Sequence, residues 1–158
     1  MGTDRDSVKK SILRVWIIWG AMFFSLFIYV ALCHILAPSL KPIVNSTNFP
    51  IDTLKNSLFV ASIAAFFFSI YIRKFILNPE SKLTRFNQIA SQTNIDPAIL
   101  RYQTAVIISV AISESIGIFG LVIFFLSKDI NTLYIFIGMS AAAMIYNIPK
   151  RSEIEQNR

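Results

Sequence analysis

The sequence predicts an all-α integral membrane protein: a bundle of four transmembrane helices, with a short interfacial helix between the second and third spans. Three observations lead there. Four apolar runs, at about residues 12–37, 57–77, 104–127 and 132–148, lie near the roughly 20 residues that a helix needs to cross a hydrocarbon core. The composition is 54% hydrophobic and 15% charged, against about 45–50% apolar and 25% charged in a soluble domain. Lys and Arg gather on alternate connections. Arg5, Lys9, Lys10 and Arg14 precede the first run. Arg73, Lys74, Lys82, Arg85 and Arg101 lie between the second and third, and Lys150, Arg151 and Arg158 follow the fourth. The opposite connections hold only Lys41, Lys55 and Lys128. Such a bias marks the cytoplasmic side, so both termini and the middle segment are expected there, in a multi-pass protein of the membrane, most simply a bacterial inner membrane. The mean hydropathy is +0.58, and the chain reads as one transmembrane domain over residues 1–158.

The net charge of +6 would suggest nucleic acid in a soluble protein. Beside these apolar runs it reads as Lys and Arg retained on one side of a bilayer, and no nucleic acid is expected. The lone cysteine, Cys33, allows no intrachain disulfide and leaves the redox compartment unread.

In chain order, Met1–Ser11 is polar and basic, and Asp6 stands where a myristoylation signal wants Ser or Thr. The run from Ile12 to Ala37 exceeds a signal-peptide core, and Leu32 spoils a lipoprotein cleavage box, so it reads as a retained span with Trp16 and Trp19 near one interface. Residues 38–56 hold three prolines and read as a loop. Asn45-Ser46-Thr47 fits a glycosylation sequon, and Asp52 is expected to cap the next helix. The second span ends at Arg73 and Lys74, which are expected to snorkel at the far interface, and at Asn78-Pro79. Its small residues Ala61, Ala65 and Ser69 recur every four positions, which lets another helix approach closely. Leu83, Phe86, Ile89 and Ala90 share one helical face, which predicts the surface helix. Asp96-Pro97 is a helix start, so the third helix begins before its apolar run. After a tight connection at Ser127–Asn131, the short fourth span offers Gly138 and Ala142 as packing positions.

The third run carries the sharpest functional signal. Glu114 is its only ionisable residue. A carboxyl at that depth is costly, so it is paired, neutral, or within reach of water or an ion. Ser109, Ser113, Gly117 and Gly120 form a stripe of small residues for helix packing. Glu114 lies beside that stripe, 100° around the helix from Ser113.

The stretch from Ala111 to Val122, AISESIGIFGLV, resembles the ion-binding outer helix of the rotary ATP synthase c subunit, which reads roughly A-L-x-E-[AS]-x-x-I-[YF]-G-L-V. Glu114, Ile118, Phe119, Gly120, Leu121 and Val122 fall in register. The resemblance implies a carboxyl at Glu114 that binds and releases H⁺ or Na⁺, with Ser113 and Gly117 beside it. The family's inner helix of alternating glycines has no counterpart before residue 80, and Arg101-Tyr102-Gln103 only echoes its loop motif. In the four-span proteolipid relatives the acidic residue lies on the last span, and here it lies on the third. Ring assembly and rotation are therefore not implied.

No paired carboxylate, phosphate-binding Gly loop, Ser/His/Asp arrangement or Cys/His cluster is visible in the sequence, so no enzyme, no metal and no cofactor are expected. Haem at the single histidine, His34, would need a second ligand from another chain. Two functions remain from different classes. One is a non-catalytic accessory or assembly subunit of a larger membrane complex. The other is an H⁺- or Na⁺-handling subunit that uses Glu114. Both place the chain in the lipid bilayer, with other membrane subunits or copies of itself as partners.

Overall fold

The computed structural model describes residues 2–39, 50–78 and 97–150, with side chains from Lys9 onward in the first of these segments. Four helices fill them: α1 Gly2–Leu36, α2 Ile51–Leu77, α3 Pro97–Ser127 and α4 Ile130–Tyr146. There is no strand among the described residues. Three helices are long and apolar enough to cross a membrane, over Lys9–Leu36, Ile51–Leu77 and Pro97–Ser127. The fourth has 17 residues and is about 25 Å long at 1.5 Å per residue. The expected surface helix around Leu83–Ala90, the sequon at Asn45 and the cap at Asp96 lie outside the described residues.

Apolar side chains with helical spacing have to meet other helices or leave the protein's own surface apolar, and α3 is where most of them meet. It packs against each of the other three helices, and α4 also touches α1 and α2. No packing between α1 and α2 occurs among the described residues. The two flank a central antiparallel pair. One core cluster joins Val15 of α1, Tyr102 and Val106 of α3 and Met144 of α4, with Leu77 of α2 packed against it. This end therefore collects the starts of α1 and α3 and the ends of α2 and α4. At the opposite end Cys33 packs with Phe124 and Leu133. Between the ends, Ile116, Ile123, Phe136 and Ala143 form a third cluster, with Ala65 and Phe66 against it. The helices thus run alternately up and down.

The stripe on α3 explains why it sits at the centre. Ser109, Ser113, Gly117 and Gly120 are all buried. A Cβ at Gly117 would stand 2.9 Å from Leu26 Cδ2, and one at Gly120 only 2.7 Å from Phe136 Cβ. Both are closer than side chains tolerate, so glycine is what lets α1 and α4 approach so near. On α2, Ser69 is buried and Ala61 and Ala65 are half-buried. Ser62, not part of the expected stripe, is fully buried.

Several expectations need correction. Gly138 and Ala142 are exposed, and a Cβ at Gly138 would meet nothing within 4 Å. Within the chain the packing face of α4 is instead Leu133, Phe136, Ser140, Ala143 and Met144, on nearly the opposite side of the helix from those two small residues. Asp52 is not a cap: α2 starts at Ile51, Pro50 precedes it, and no side chain caps its first turn. The cap that does form is Asp129 on α4, where Oδ1 accepts from the Thr132 amide at 3.1 Å and Oδ2 from the Thr132 hydroxyl at 2.7 Å. The fourth helix accordingly begins at Ile130, two residues earlier than its apolar pattern implied. Of the adjacent pair Arg73 and Lys74, Lys74 is exposed, but Arg73 turns inward and is only 6% exposed.

Candidate functional site

Positions 113 and 114 on α3 face different neighbours because successive helical residues diverge by 100°. Each starts a polar cluster inside an otherwise apolar bundle, where every hydrogen-bonding group must find a partner.

The first cluster joins α3 to α1. Glu114 is half-buried. Its Oε1 accepts from Ser25 Oγ at 2.6 Å and from Tyr29 Oη at 2.8 Å. Ser25 and Tyr29 are four residues apart on α1 and so share one face. Ser25 Oγ also lies 2.6 Å from the carbonyl oxygen of Met22. A serine hydroxyl has one hydrogen to give. Ser25 therefore has two acceptors within reach of that hydrogen, Glu114 Oε1 and the Met22 carbonyl. No lysine, arginine or histidine pairs with Glu114 among the described residues, whose one salt bridge is Lys55–Asp129.

The second cluster joins α3 to α2 and α4. Asn147, at the C-cap of α4, is fully buried. Its Nδ2 donates to Ser69 Oγ at 3.1 Å, to Ser113 Oγ at 3.3 Å and to the Ala143 carbonyl at 3.0 Å. Ser140 Oγ donates to the Ser113 carbonyl at 2.7 Å. Arg73 completes the cluster. Its Nη1 donates to the Asn147 carbonyl, and its Nη2 to the Ile148 carbonyl at 3.1 Å. A helix end leaves carbonyls without intrahelical partners, and α4 ends beside the buried core. Arg73 supplies a donor to the C-cap carbonyl and a second to the carbonyl just past it.

The structure therefore does not gather the expected trio around the carboxyl. Glu114 turns to α1, Ser113 to the α2–α4 side, and Gly117 lies between Leu26 of α1 and Ser140 of α4. The residues that bind Glu114, Ser25 and Tyr29, were not singled out in the sequence. The available signal was their four-residue spacing within an apolar run. Asn147 and Arg73 were likewise missed as a polar hub.

The remaining candidates have ordinary partners. His34 Nε2 lies 2.6 Å from Tyr134 Oη. Trp19 Nε1 donates to the Met144 carbonyl at 3.0 Å, and so holds α1 to the end of α4. Cys33 is buried among apolar residues. No group of three or more His, Cys, Asp or Glu side chains comes together among the described residues. At the end of the bundle away from Trp19, Lys55 Nζ meets Asp129 Oδ2 at 2.6 Å. That hydrogen bond, helped by the two from Thr132 against some desolvation, holds the Asp129 carboxyl down at about 2.

No family model, curated protein or solved structure matches the chain.

Proposed function

We propose that this chain is a small multi-pass membrane protein that acts as a non-catalytic accessory or assembly subunit of a larger membrane complex. Its four helices cross the bilayer, with both termini on the cytoplasmic side. The observation that carries this reading is how the chain divides its chemistry. Most of the interior polar groups find partners within the chain, and those of Glu114 and Asn147 tie α3 to its neighbours. The outside is apolar. On α1 alone, Leu13, Ile17, Phe24, Phe27 and Ile35 are each more than half exposed, and only Val15, Leu26 and Cys33 are buried among its described side chains. A surface of that extent is a binding surface for lipid or for other membrane helices. Native mass spectrometry of the chain after gentle detergent extraction tests the reading. A complex with other subunits is expected, and Glu114→Gln should leave its composition unchanged. A chain recovered alone or only with itself would overturn the accessory role.

A second reading is favoured by the place of Glu114, a carboxyl in the middle of the third apolar helix with no cation paired to it among the described residues. In it, Glu114 binds and releases a proton, or exchanges it for Na⁺, as the resemblance to the c-subunit helix implies. A hydrophobic carbodiimide, which modifies protonated carboxyls, should then label Glu114, and Na⁺ or rising pH should slow the labelling. Labelling insensitive to both, together with a fully functional Glu114→Gln variant, would leave Glu114 as a tie between helices.

A further inference from the structure

The cleft between the ends of α2 and α4 combines an apolar wall with two uncommitted lysines. It opens to the outside. Ile70, Arg73, Lys74 and Leu77 line it from α2, spaced as one face of a helix. Tyr146, Asn147 and Lys150 line it from α4 and the residues that follow. Arg73 is occupied with the carbonyls of Asn147 and Ile148. It therefore fixes the chain after α4 against α2 and so places Lys150 opposite Lys74. Those two lysines are exposed and form no salt bridge among the described residues. The cleft lies at the end of the bundle that also carries Lys9, Lys10 and Arg14.

We propose that this cleft binds an anionic phospholipid, its phosphate held by Lys74 and Lys150 and its acyl chains lying along Ile70 and Leu77. The proposal rests on the membrane reading above. Charge complementarity selects the ligand: two ammonium groups face outward with no carboxylate paired to them among the described residues, and cationic pockets between helices at a membrane surface recruit acidic headgroups. The apolar wall and the exposed Tyr146 ring select a lipid over a free anion, since aromatic rings settle at the headgroup level. Arg73 is a positioning residue here and gives its donors to the protein's own carbonyls.

Native mass spectrometry of the full-length chain in detergent, titrated with phosphatidylglycerol, phosphatidylcholine or inorganic phosphate, tests the proposal. Phosphatidylglycerol adducts should form in preference to phosphatidylcholine, and millimolar phosphate should not displace them. Lys74→Gln with Lys150→Gln should weaken phosphatidylglycerol binding roughly tenfold, while Lys9→Gln with Lys10→Gln, which removes equal charge elsewhere at the same end, should change it little. Equal losses in both double variants, no preference for the anionic lipid, or displacement by phosphate alone would overturn the site. Extraction of membranes with alkaline carbonate separates the two levels of the argument. A chain that stays in the membrane yet shows no selectivity refutes only the lipid site. A chain released by carbonate refutes the membrane reading and the lipid site with it.

Discussion

Tyr29 and Ser25 both direct hydroxyls at Oε1 of Glu114, so the three side chains stand or fall as a hydrogen-bonded unit. Glu114→Gln keeps a carbonyl oxygen there and should cost less than about 1 kcal/mol, whereas Glu114→Leu takes the acceptor from the Tyr29 hydroxyl, Ser25 keeping the Met22 carbonyl, and should cost about 1–3 kcal/mol. Tyr29→Phe should cost about 1 kcal/mol in wild type and clearly less in the Glu114→Leu background, because the partner has already gone. Unfolding in mixed micelles measures all four variants, and equal effects of Tyr29→Phe in both backgrounds would deny the unit. Asp129 gives a pH signature away from the spans. Its carboxyl is lowered from 3.8 to about 2 by Lys55. A lowered folded value means that the stabilisation is fully present above the unfolded value and is lost as pH falls from about 4 to about 2. The side chains of Lys55 and Asp129 are 25% and 28% exposed, so solvent screening limits the effect to about 1 kcal/mol or less. Lys55→Ala should flatten stability across that window. Glu114 itself was legible in the sequence, because an ionisable residue inside an apolar run has to be explained. Its partners were not, since Ser and Tyr are common in apolar helices and nothing in the sequence tells which face of α1 turns towards α3.

At the scale of the element, the glycines separate close approach from mere smallness. Gly120 lies under Phe136 Cβ, which the α4 backbone holds in place, so Gly120→Ala should cost about 1–3 kcal/mol by overpacking. Gly117 lies under Leu26 Cδ2, the mobile tip of a side chain, so Gly117→Ala should cost less. Gly138 meets nothing, and Gly138→Ala should stabilise α4 by about 0.5–1 kcal/mol through helix propensity alone. Thermal unfolding of the three variants should follow that order, and a costly Gly138→Ala would reveal a contact made only in a larger assembly. The α3 stripe was legible because its members recur every four residues beside one another. The Gly138–Ala142 stripe has the same spacing, yet faces outward. Small residues permit packing without compelling it, and the bulky Leu133, Phe136 and Met144 choose the opposite face. Arg73 was harder still. Its acceptors are backbone carbonyls at the end of α4, which leave no mark in a sequence, and its neighbour Lys74 carries the same charge to the outside.

At the scale of the whole molecule, alternating helices sort the basic residues by end. Among the described side chains, Lys9, Lys10, Arg14, Arg73, Lys74, Arg101 and Lys150 belong to the end where α1 and α3 start, and Lys55 and Lys128 to the other. The packing brings the same ends together, through Tyr102 with Met144 at one and Cys33 with Leu133 at the other. Charge bias and helix alternation are independent properties, one set by insertion and the other by folding, and they agree. The basic end should therefore face the cytoplasm. Asn131 is exposed at the start of α4, and Asn78 is exposed just past α2. In a Cys33→Ser background, Asn131→Cys should react with a membrane-impermeant thiol reagent in intact cells, and Asn78→Cys only after the membrane is opened. Replacing Cys33 removes a fully buried side chain, so the background must first be shown to keep the wild-type melting behaviour. The reverse labelling pattern would invert the orientation. Labelling of both sites from outside would mean that α3 does not carry the chain across, and the four-span arrangement would have to be abandoned.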